Sequence, residues 1–440
     1  MQKQLLIKLG LIGALSLLLM IPLSMIEGQI TARGARQAEV VRNIAESAAG
    51  SQTLVAPVLA LRYLERVERR DKDPATGRET VRYEVVERTR ILPPQRLDIR
   101  GDARVETRSR GIYSARLYHL ALQVAGTVTV PPRLGFDRPR DLVSAEAILV
   151  LGLSDPRGVG NDPEVRIDGK VHHFATGTDG LLRGAGLHIP LGAVDLESGR
   201  GIDFAFPLDL TGSERLAIAP SGNATTVSLK SDWQHPSFQG RFLPDAREVG
   251  PDGFTARWQV SHLARNFERV LQAGEAHDGG ETLNISFMDP VNVYLQAERA
   301  VKYGILFVAL TFAGFFLTET LQQAPIHPLQ YLLVGLALAI FFLLLVALSE
   351  HVPFALAYGV SAIACVALIG VYLAGALGSR LRAAAFGAGI SALYGVLFGV
   401  LRSEDNALLM GSLLLFAALG ATMLATRRID WYRLGAPAEA

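Results

Sequence analysis

The hydrophobic residues of this chain are distributed very unevenly. One apolar segment lies near the N-terminus, at about residues 9–26, and the stretch from 27 to 302 is polar. Crossing a bilayer core of about 30 Å takes about 20 apolar helical residues. Further segments close to that length crowd into the last third of the chain, at residues 301–317, 329–348, 352–377, 384–401 and 408–425. The sequence therefore predicts an integral membrane protein with six spanning helices.

The predicted fold class is a mixed membrane protein. It combines a six-transmembrane α-helical bundle, one helix plus five, with a large extracytoplasmic domain inserted between helices 1 and 2. The first segment is predicted to be an uncleaved signal anchor, because its apolar run is long and no A-x-A site follows closely; a cleaved signal peptide is the alternative. The predicted boundaries are 1–26 for the anchor, 27–299 for the extracytoplasmic domain, 300–426 for the five-helix domain and 427–440 for a tail.

Positive charge in short loops predicts the orientation of the helices, because such loops stay in the cytoplasm. With six crossings, the basic residues that flank the spans fall on one face, which places both termini in the cytoplasm and the large domain outside. These residues are Lys3, Lys8, Arg380, Arg382, Arg427, Arg428 and Arg433.

The net charge of the chain is +1, which gives no polyelectrolyte character, so no nucleic-acid partner is predicted. The single cysteine, Cys365, lies in an apolar segment. The large domain therefore has no disulfide and no cysteine-based metal site.

The large domain shows the pattern of β-strands. Apolar and polar residues alternate over residues 118–130, 202–210 and 254–260, while 147–153 is continuously apolar, as in a core strand. We predict a mostly antiparallel β domain; one sandwich and two smaller β domains fit this pattern equally well. Pro207 cannot donate to a ladder and suggests an edge strand. Residues 66–80 are predicted to form an exposed hairpin tip, and 37–48 and 263–273 show helical period.

A search for catalytic and metal-binding patterns gives no motif, and no cofactor is predicted. His172 and His173 are adjacent, so in a strand they point to opposite faces and cannot chelate one metal from the same side. Residues 155–162 resemble a cation loop but lack the ligand rhythm of an EF-hand, and a tight glycine turn explains them. The G-x-S-x-G elbow of many serine hydrolases is missing, although triads form in space rather than in sequence.

The first of two candidate sites is a segment rich in aromatic residues. Residues 231–244 pack aromatic side chains among glycine and proline, which suits either a partner-binding edge or a rigid corner filling a β core. The candidate partner-binding residues are Trp233, His235, Phe238 and Phe242.

The predicted spans contain essentially no ionisable residues, which argues against ion-coupled transport. Glu350 and His351, at the predicted outer mouth of the third span, form a candidate interface pair, for which an interfacial cap is the simpler interpretation. Gly395 and Gly399 predict a close helix contact.

The chain resembles the CreD family in several runs: Asp232-Trp-Gln-His-Pro-Ser-Phe-Gln-Gly-Arg-Phe-Leu-Pro244, Lys302-Tyr-Gly-Ile-Leu-Phe, His327-Pro-Leu-Gln-Tyr-Leu, Leu348-Ser-Glu-His351 and Arg428-Ile-Asp-Trp-Tyr432. The resemblance covers nearly the whole chain. It implies a bacterial inner-membrane protein with a periplasmic domain, expressed under a sensor-kinase and response-regulator pair. It also implies a role in cell-envelope integrity and stress response, linked to colicin tolerance and β-lactam response. The family has no established catalytic residue.

Three functions follow as hypotheses. The first is a non-enzymatic envelope protein, whose periplasmic domain binds or scaffolds an unidentified envelope component while the helices hold it in the lipid bilayer. The second is an envelope-remodelling hydrolase that uses Asp155, Asp162, His172, His188 and His235. The third is a lipid-handling or transport component, with Glu350 and His351 gating the outer mouth.

Overall fold

The computed structural model describes residues 2–72, 79–136, 140–265, 281–287, 292–322, 326–376, 380–402 and 407–427. The chain divides into two compact units. One, the helical unit, comprises residues 1–38 and 291–440, and the other, the β unit, comprises residues 39–290.

The helices begin with a long one, and the others follow the β unit. Their bounds are α1 Gln2–Ala48, α2 Val293–Lys302, α3 Gly304–Gln322, α4 Pro328–Ser349, α5 Phe354–Ala376, α6 Arg380–Arg402 and α7 Ala407–Thr426. Helix α1 is continuous through the predicted end of the anchor at Ile26, and it includes the predicted helical stretch 37–48. The predicted stretch 263–273 contains only a 3₁₀ turn at His262–Ala264, and the rest of it lies outside the described residues.

The described helices include four that are long and apolar enough to cross a membrane, and a fifth if α2 and α3 form one span bent by 40°. A shorter apolar stretch, Leu409–Leu424, lies in α7. Several helices are therefore suited by length and composition to span a membrane, and the count of six stays a prediction.

Helix packing in this unit follows from the spacing of apolar residues along α1. Leu19, Leu23, Ile26 and Ile30 are buried and recur at helical spacing, so they form one face. Gly335 of α4 lies against this face, where an added Cβ would overlap Leu19 and lie 3.0 Å from Phe312. The predicted close helix contact holds at Gly399, where an added Cβ would lie 3.2 Å from Met410 of α7, but not at Gly395, where it would meet no described atom within 4 Å.

The β unit contains two eight-stranded sheets. The strands of the first sheet are β1 Gln52–Lys72, β2 Glu79–Leu92, β5 Asp141–Leu153, β8 Ala175–Thr176, β9 Gly186–Ala193, β11 Arg215–Ala219, β13 Ser237–Gly240 and β16 Leu283–Ser286. Those of the second sheet are β3 Arg96–Arg110, β4 Tyr113–Val130, β6 Glu164–Ile167, β7 Lys170–His173, β10 Arg200–Ser213, β12 Ala224–Ser231, β14 Ala246–Gly250 and β15 Gly253–Ser261.

Strand order runs β13-β16-β11-β1-β5-β9-β8 in the first sheet, with β2 paired to β1, and β14-β15-β12-β3-β4-β10-β6-β7 in the second. The pairings are antiparallel except for β1 with β11 and β3 with β12, which are parallel. The sheets are therefore mixed.

The buried residues of both sheets form one core, which favours a single sandwich over two smaller domains. Alternation on β4, β10 and β15 places apolar side chains inside and polar ones outside, as the sequence predicts. The start of the core strand β5 is exposed, and its second half is buried on both faces.

The interpretation of Pro207 as a sign of an edge strand is wrong for strand order, since β10 lies between β4 and β6. Locally, however, β6 pairs only with Phe204 and Ala205, and an isolated bridge joins Val159 to Leu210. Pro207 therefore lies where one side of β10 has no ladder partner, which is where proline is tolerated.

Candidate functional site

The predicted aromatic segment lies along the edge of the first sheet and packs onto the core. Trp233, Phe238 and Phe242 are half-buried, and the Phe238 ring lies 5.5 Å from Phe254 and 5.9 Å from Trp258. His235 is exposed, and its carbonyl accepts a 2.9 Å hydrogen bond from the Trp233 indole. These contacts support the rigid-corner interpretation; the partner-binding role of the four residues stays a prediction.

Glu350 bonds to distant residues rather than to its neighbour His351. Its carboxylate accepts hydrogen bonds from Arg33 of α1 at 2.8 Å and from the Tyr294 hydroxyl of α2 at 2.9 Å, and only 8% of its side chain is exposed. His351 is exposed. This arrangement fixes Glu350 as a structural link between α1, α2 and the end of α4.

A second link joins the other end of α1 to α3 and α4. Lys8 forms an ion pair with Glu319 of α3, which also accepts a hydrogen bond from the Tyr331 hydroxyl at 3.2 Å. Glu319 and Glu350 are thus both paired near helix ends, as expected where burying a lone charge is costly.

The five residues of the hydrolase hypothesis do not come together into one site. Asp155 is held by Arg157, Asp162 lies 3.6 Å from His173, and His188 bonds the Gly177 carbonyl at 2.9 Å. Among the described residues, no group of three or more His, Cys, Asp or Glu could hold a metal ion.

The Asp155–Arg157 pair makes the first testable prediction. Hydrogen bonds from Arg157, at 2.6 Å and 2.9 Å, hold the pKa of Asp155 below its ordinary value. A lowered carboxylate pKa adds stability above the unfolded pKa of about 3.9, and this is lost as pH falls through the folded value. Asp155→Asn should lower the melting temperature of the full chain by a few degrees at pH 7; the difference should begin to shrink as pH falls below about 4 and vanish only below the lowered pKa of the folded state. A melting-temperature difference that stays constant as the pH is lowered from 7 would contradict the stabilising role of the ionised Asp155 carboxylate.

A groove of about 660 Å³ crosses the outer face of the second sheet. The register places Ser228 of β12 between Arg100 of β3 and Arg257 of β15, and Lys230 follows two residues along β12 on the same face. Because adjacent strands lie about 4.8 Å apart, both guanidinium groups can reach over Ser228. We call this surface the basic groove; its charged lining residues are Arg100, Lys230, Arg247 and Arg257, with Asp102 and Glu248.

The electrostatics of the basic groove favour anions. Its charged lining residues give a net charge of +2. Arg100 is paired with Asp98 at 2.7 Å, whereas neither Lys230 nor Arg257 has an ion-pair partner in the described part of the chain. Arg247 also lies 5.9 Å from the ring centre of Phe238, so the groove borders the aromatic segment. Free cations around a small hydroxyl can bind a carboxylate or phosphate by charge-assisted hydrogen bonds.

A second depression, of about 550 Å³, adjoins the basic groove and contains His119 of β4. One ring nitrogen of His119 lies 3.2 Å from the Thr211 hydroxyl and the other 3.0 Å from Glu106. The hydrogen bond to His119, followed by that to Arg108, keeps the pKa of Glu106 below its ordinary value. The order of hydroxyl, imidazole and carboxylate is that of a catalytic triad.

Sequence reasoning missed both depressions. The alternation over 118–130 places His119, Ala121 and Gln123 on the polar face, and all three line one or the other depression. Their neighbours come from β3, β12 and β15, which are far apart in sequence, and β3 and β12 pair in parallel. Only the strand order brings these residues together.

The structure defines an integral membrane protein that carries one large β-sandwich. Residues 4–432 match the family described as Inner membrane protein CreD. The chain is also 34% identical to the Inner membrane protein CreD of Escherichia coli (strain K12), over 97% of this chain and 94% of that protein. The chain therefore belongs to the CreD family and is a multi-pass inner-membrane protein, which confirms the resemblance seen in the sequence.

Similarity to solved structures is weak. Two structures of an M1 zinc metallopeptidase from Deinococcus radiodurans, one of a mutant bound to a Tyr-Ser-Ala substrate, have TM-scores of 0.23 and 0.22 at 11% and 10% identity. The matched region covers 44% of this chain and 42% of each metallopeptidase chain. A similarity at this level carries no functional argument.

Proposed function

We propose that this protein maintains cell-envelope integrity under stress by binding an anionic envelope component through its β unit. The β unit lies in the periplasm and both termini in the cytoplasm, as the basic residues flanking the helices predict. The helical unit anchors the periplasmic β unit to the inner membrane. The observation that carries the proposal is the basic groove, where Lys230 and Arg257 flank Ser228 without ion-pair partners in the described part of the chain.

Two further features support binding. The groove lies on paired strands, so the backbone that carries its lining residues needs no rearrangement to bind a ligand. Its polar lining between the cations, Ser228, Thr255 and Gln123, offers hydroxyl and amide groups to a polar ligand. The adjoining aromatic segment adds apolar surface at the groove border through the contact of Arg247 with Phe238.

The test places a photo-crosslinking residue at Ser228 in the groove and, as a control, at Thr129 on the same face outside it. Under envelope stress, Ser228 should capture a defined component and Thr129 should not. The double variant Lys230→Glu/Arg257→Glu should reduce capture by at least about tenfold, because a charge-assisted hydrogen bond contributes about 1.5–3 kcal/mol. It should also fail to complement a deletion strain, whereas Arg110→Glu, an exposed arginine at the end of β3, should complement fully. Equal capture at both positions would refute the proposal.

The triad-like contacts of His119 favour a second candidate function, an envelope-remodelling hydrolase. Thr211 would be the nucleophile, His119 the base and Glu106 the group that orients it. Asp102 and Asp209 line the same depression, and their charge opposes the oxyanion that acyl transfer develops. Binding is therefore preferred. His119→Ala distinguishes the two functions, since it should leave complementation intact for a binding protein and abolish it for a hydrolase.

A further inference from the structure

Strands β1 and β2 extend beyond the sheet as a two-stranded arm. β5 pairs with β1 only as far as Arg66, opposite Asp141, but β1 and β2 stay paired to Lys72 and Glu79. We call the part of the hairpin from Val67 onward the arm. In the described part of the chain β2 pairs with β1 alone, so its other edge has free backbone donors and acceptors.

The free edge of β2, in the arm and directly beside it, carries an apolar stripe. Val81, Tyr83 and Val85 are 48%, 68% and 52% exposed. Alternation along a strand puts all three on one face. Single exposed apolar residues are ordinary, but a stripe on an unpaired edge is a template for another strand.

The sequence of the edge is self-complementary. On one face it reads Glu79, Val81, Tyr83, Val85, Glu87, which is a palindrome about Tyr83. On the other face Arg82 and Glu84 are placed symmetrically about the same residue. We propose that this edge pairs antiparallel with the same edge of a second copy of the chain, with the two-fold axis at Tyr83. Each Val81 then lies opposite Val85 of the second copy, and each Arg82 lies opposite Glu84.

Charge fixes this register. Arg82 has no ion-pair partner in the described part of the chain, and Glu84 bonds Arg69 at 2.9 Å, so Glu84 would lie between two cations. Moving the axis by one residue puts Arg82 opposite Arg82 or Glu84 opposite Glu84, and like charges directly opposite are destabilising. The Tyr83 register also brings Glu79 opposite Glu87, which is partly offset by Arg62, 3.4 Å from Glu87.

Cysteine crosslinking of the full chain in its native membrane tests the proposal. Directly opposite residues in an antiparallel pair have Cα atoms about 4.5–5.5 Å apart, within the range of a disulfide. Tyr83→Cys should therefore form a covalent dimer under mild oxidation. Val85→Cys is the matched control: the two copies of this cysteine would lie about 13 Å apart along the strands, and the yield should be at least about tenfold lower. The native Cys365 is buried, and unaltered protein should give no dimer.

The double variant Val81→Cys/Val85→Cys checks the register independently, because each cysteine then faces the other in the second copy. It should crosslink as well as Tyr83→Cys. All these positions are exposed, so folding is not expected to change. A dimer yield for Tyr83→Cys no higher than for Val85→Cys would overturn the proposal, as would a maximum at another position in a scan of residues 80–86.

Discussion

Replacing Trp258 by alanine is expected to lower the free energy of unfolding of the β unit by about 3–5 kcal/mol, the usual cost of truncating a buried tryptophan. Trp258 of β15 is fully buried, and its ring packs against Phe238. The cavity would lie in the core shared by both sheets, so the whole sandwich should lose stability. The measurement is the urea midpoint of the β unit by pulse proteolysis of the full chain in detergent micelles.

Two controls separate the cavity from other causes. Leu263→Ala removes a side chain that is 85% exposed, and should change the stability by less than about 0.5 kcal/mol. Trp258→Phe should lower the free energy of unfolding by much less than Trp258→Ala does, because the indole N–H has no hydrogen-bond partner among the described residues and none is lost. A midpoint for Trp258→Ala equal to that of Leu263→Ala would show that this residue is not in a packed core.

The sequence predicted the features of the fold that depend on local pattern. The alternation over 118–130, 202–210 and 254–260 identified β4, β10 and β15, since a strand with one buried face must alternate. It could not predict the parallel pairing of β3 with β12, because strand order is decided by contacts between distant segments. Pro207 shows the same limit. One side of β10 does lack a ladder partner at Pro207, but β10 lies inside the sheet and not at its edge.

The candidate sites divide in the same way. Glu350 was recognised as unusual because a carboxylate at a helix end stands out in an apolar sequence. Its partners, Arg33 and Tyr294, could not be predicted, because they are brought to it by the packing of α1 and α2. The basic groove was missed for a related reason: Arg100 and Arg257 are ordinary polar-face residues until the register places them on either side of Ser228.

Replacing Gly253 by alanine is expected to destabilise the β unit by about 2–4 kcal/mol and to disorganise one wall of the basic groove. Gly253 opens β15 after the turn from β14 and has φ +116°, a conformation that residues with a Cβ rarely adopt. An added Cβ would overlap the carbonyl oxygen of Ser231 and lie 2.7 Å from the Cα of Asp232. Both are backbone atoms, so relief requires moving the hairpin that carries Glu248 and Arg257.

Gly250, on the other side of the same turn, is the matched control. An added Cβ there meets nothing within 4 Å, and its φ is not in the left-handed region. Gly250→Ala should therefore keep the stability within about 1 kcal/mol, with any gain arising from a less flexible unfolded chain. Amide hydrogen exchange of the full chain should show faster exchange in β12, β14 and β15 for Gly253→Ala alone. Equal exchange in the two variants would mean that this turn does not position the groove wall, and Arg257 would have to be held by its pairing with β12 alone.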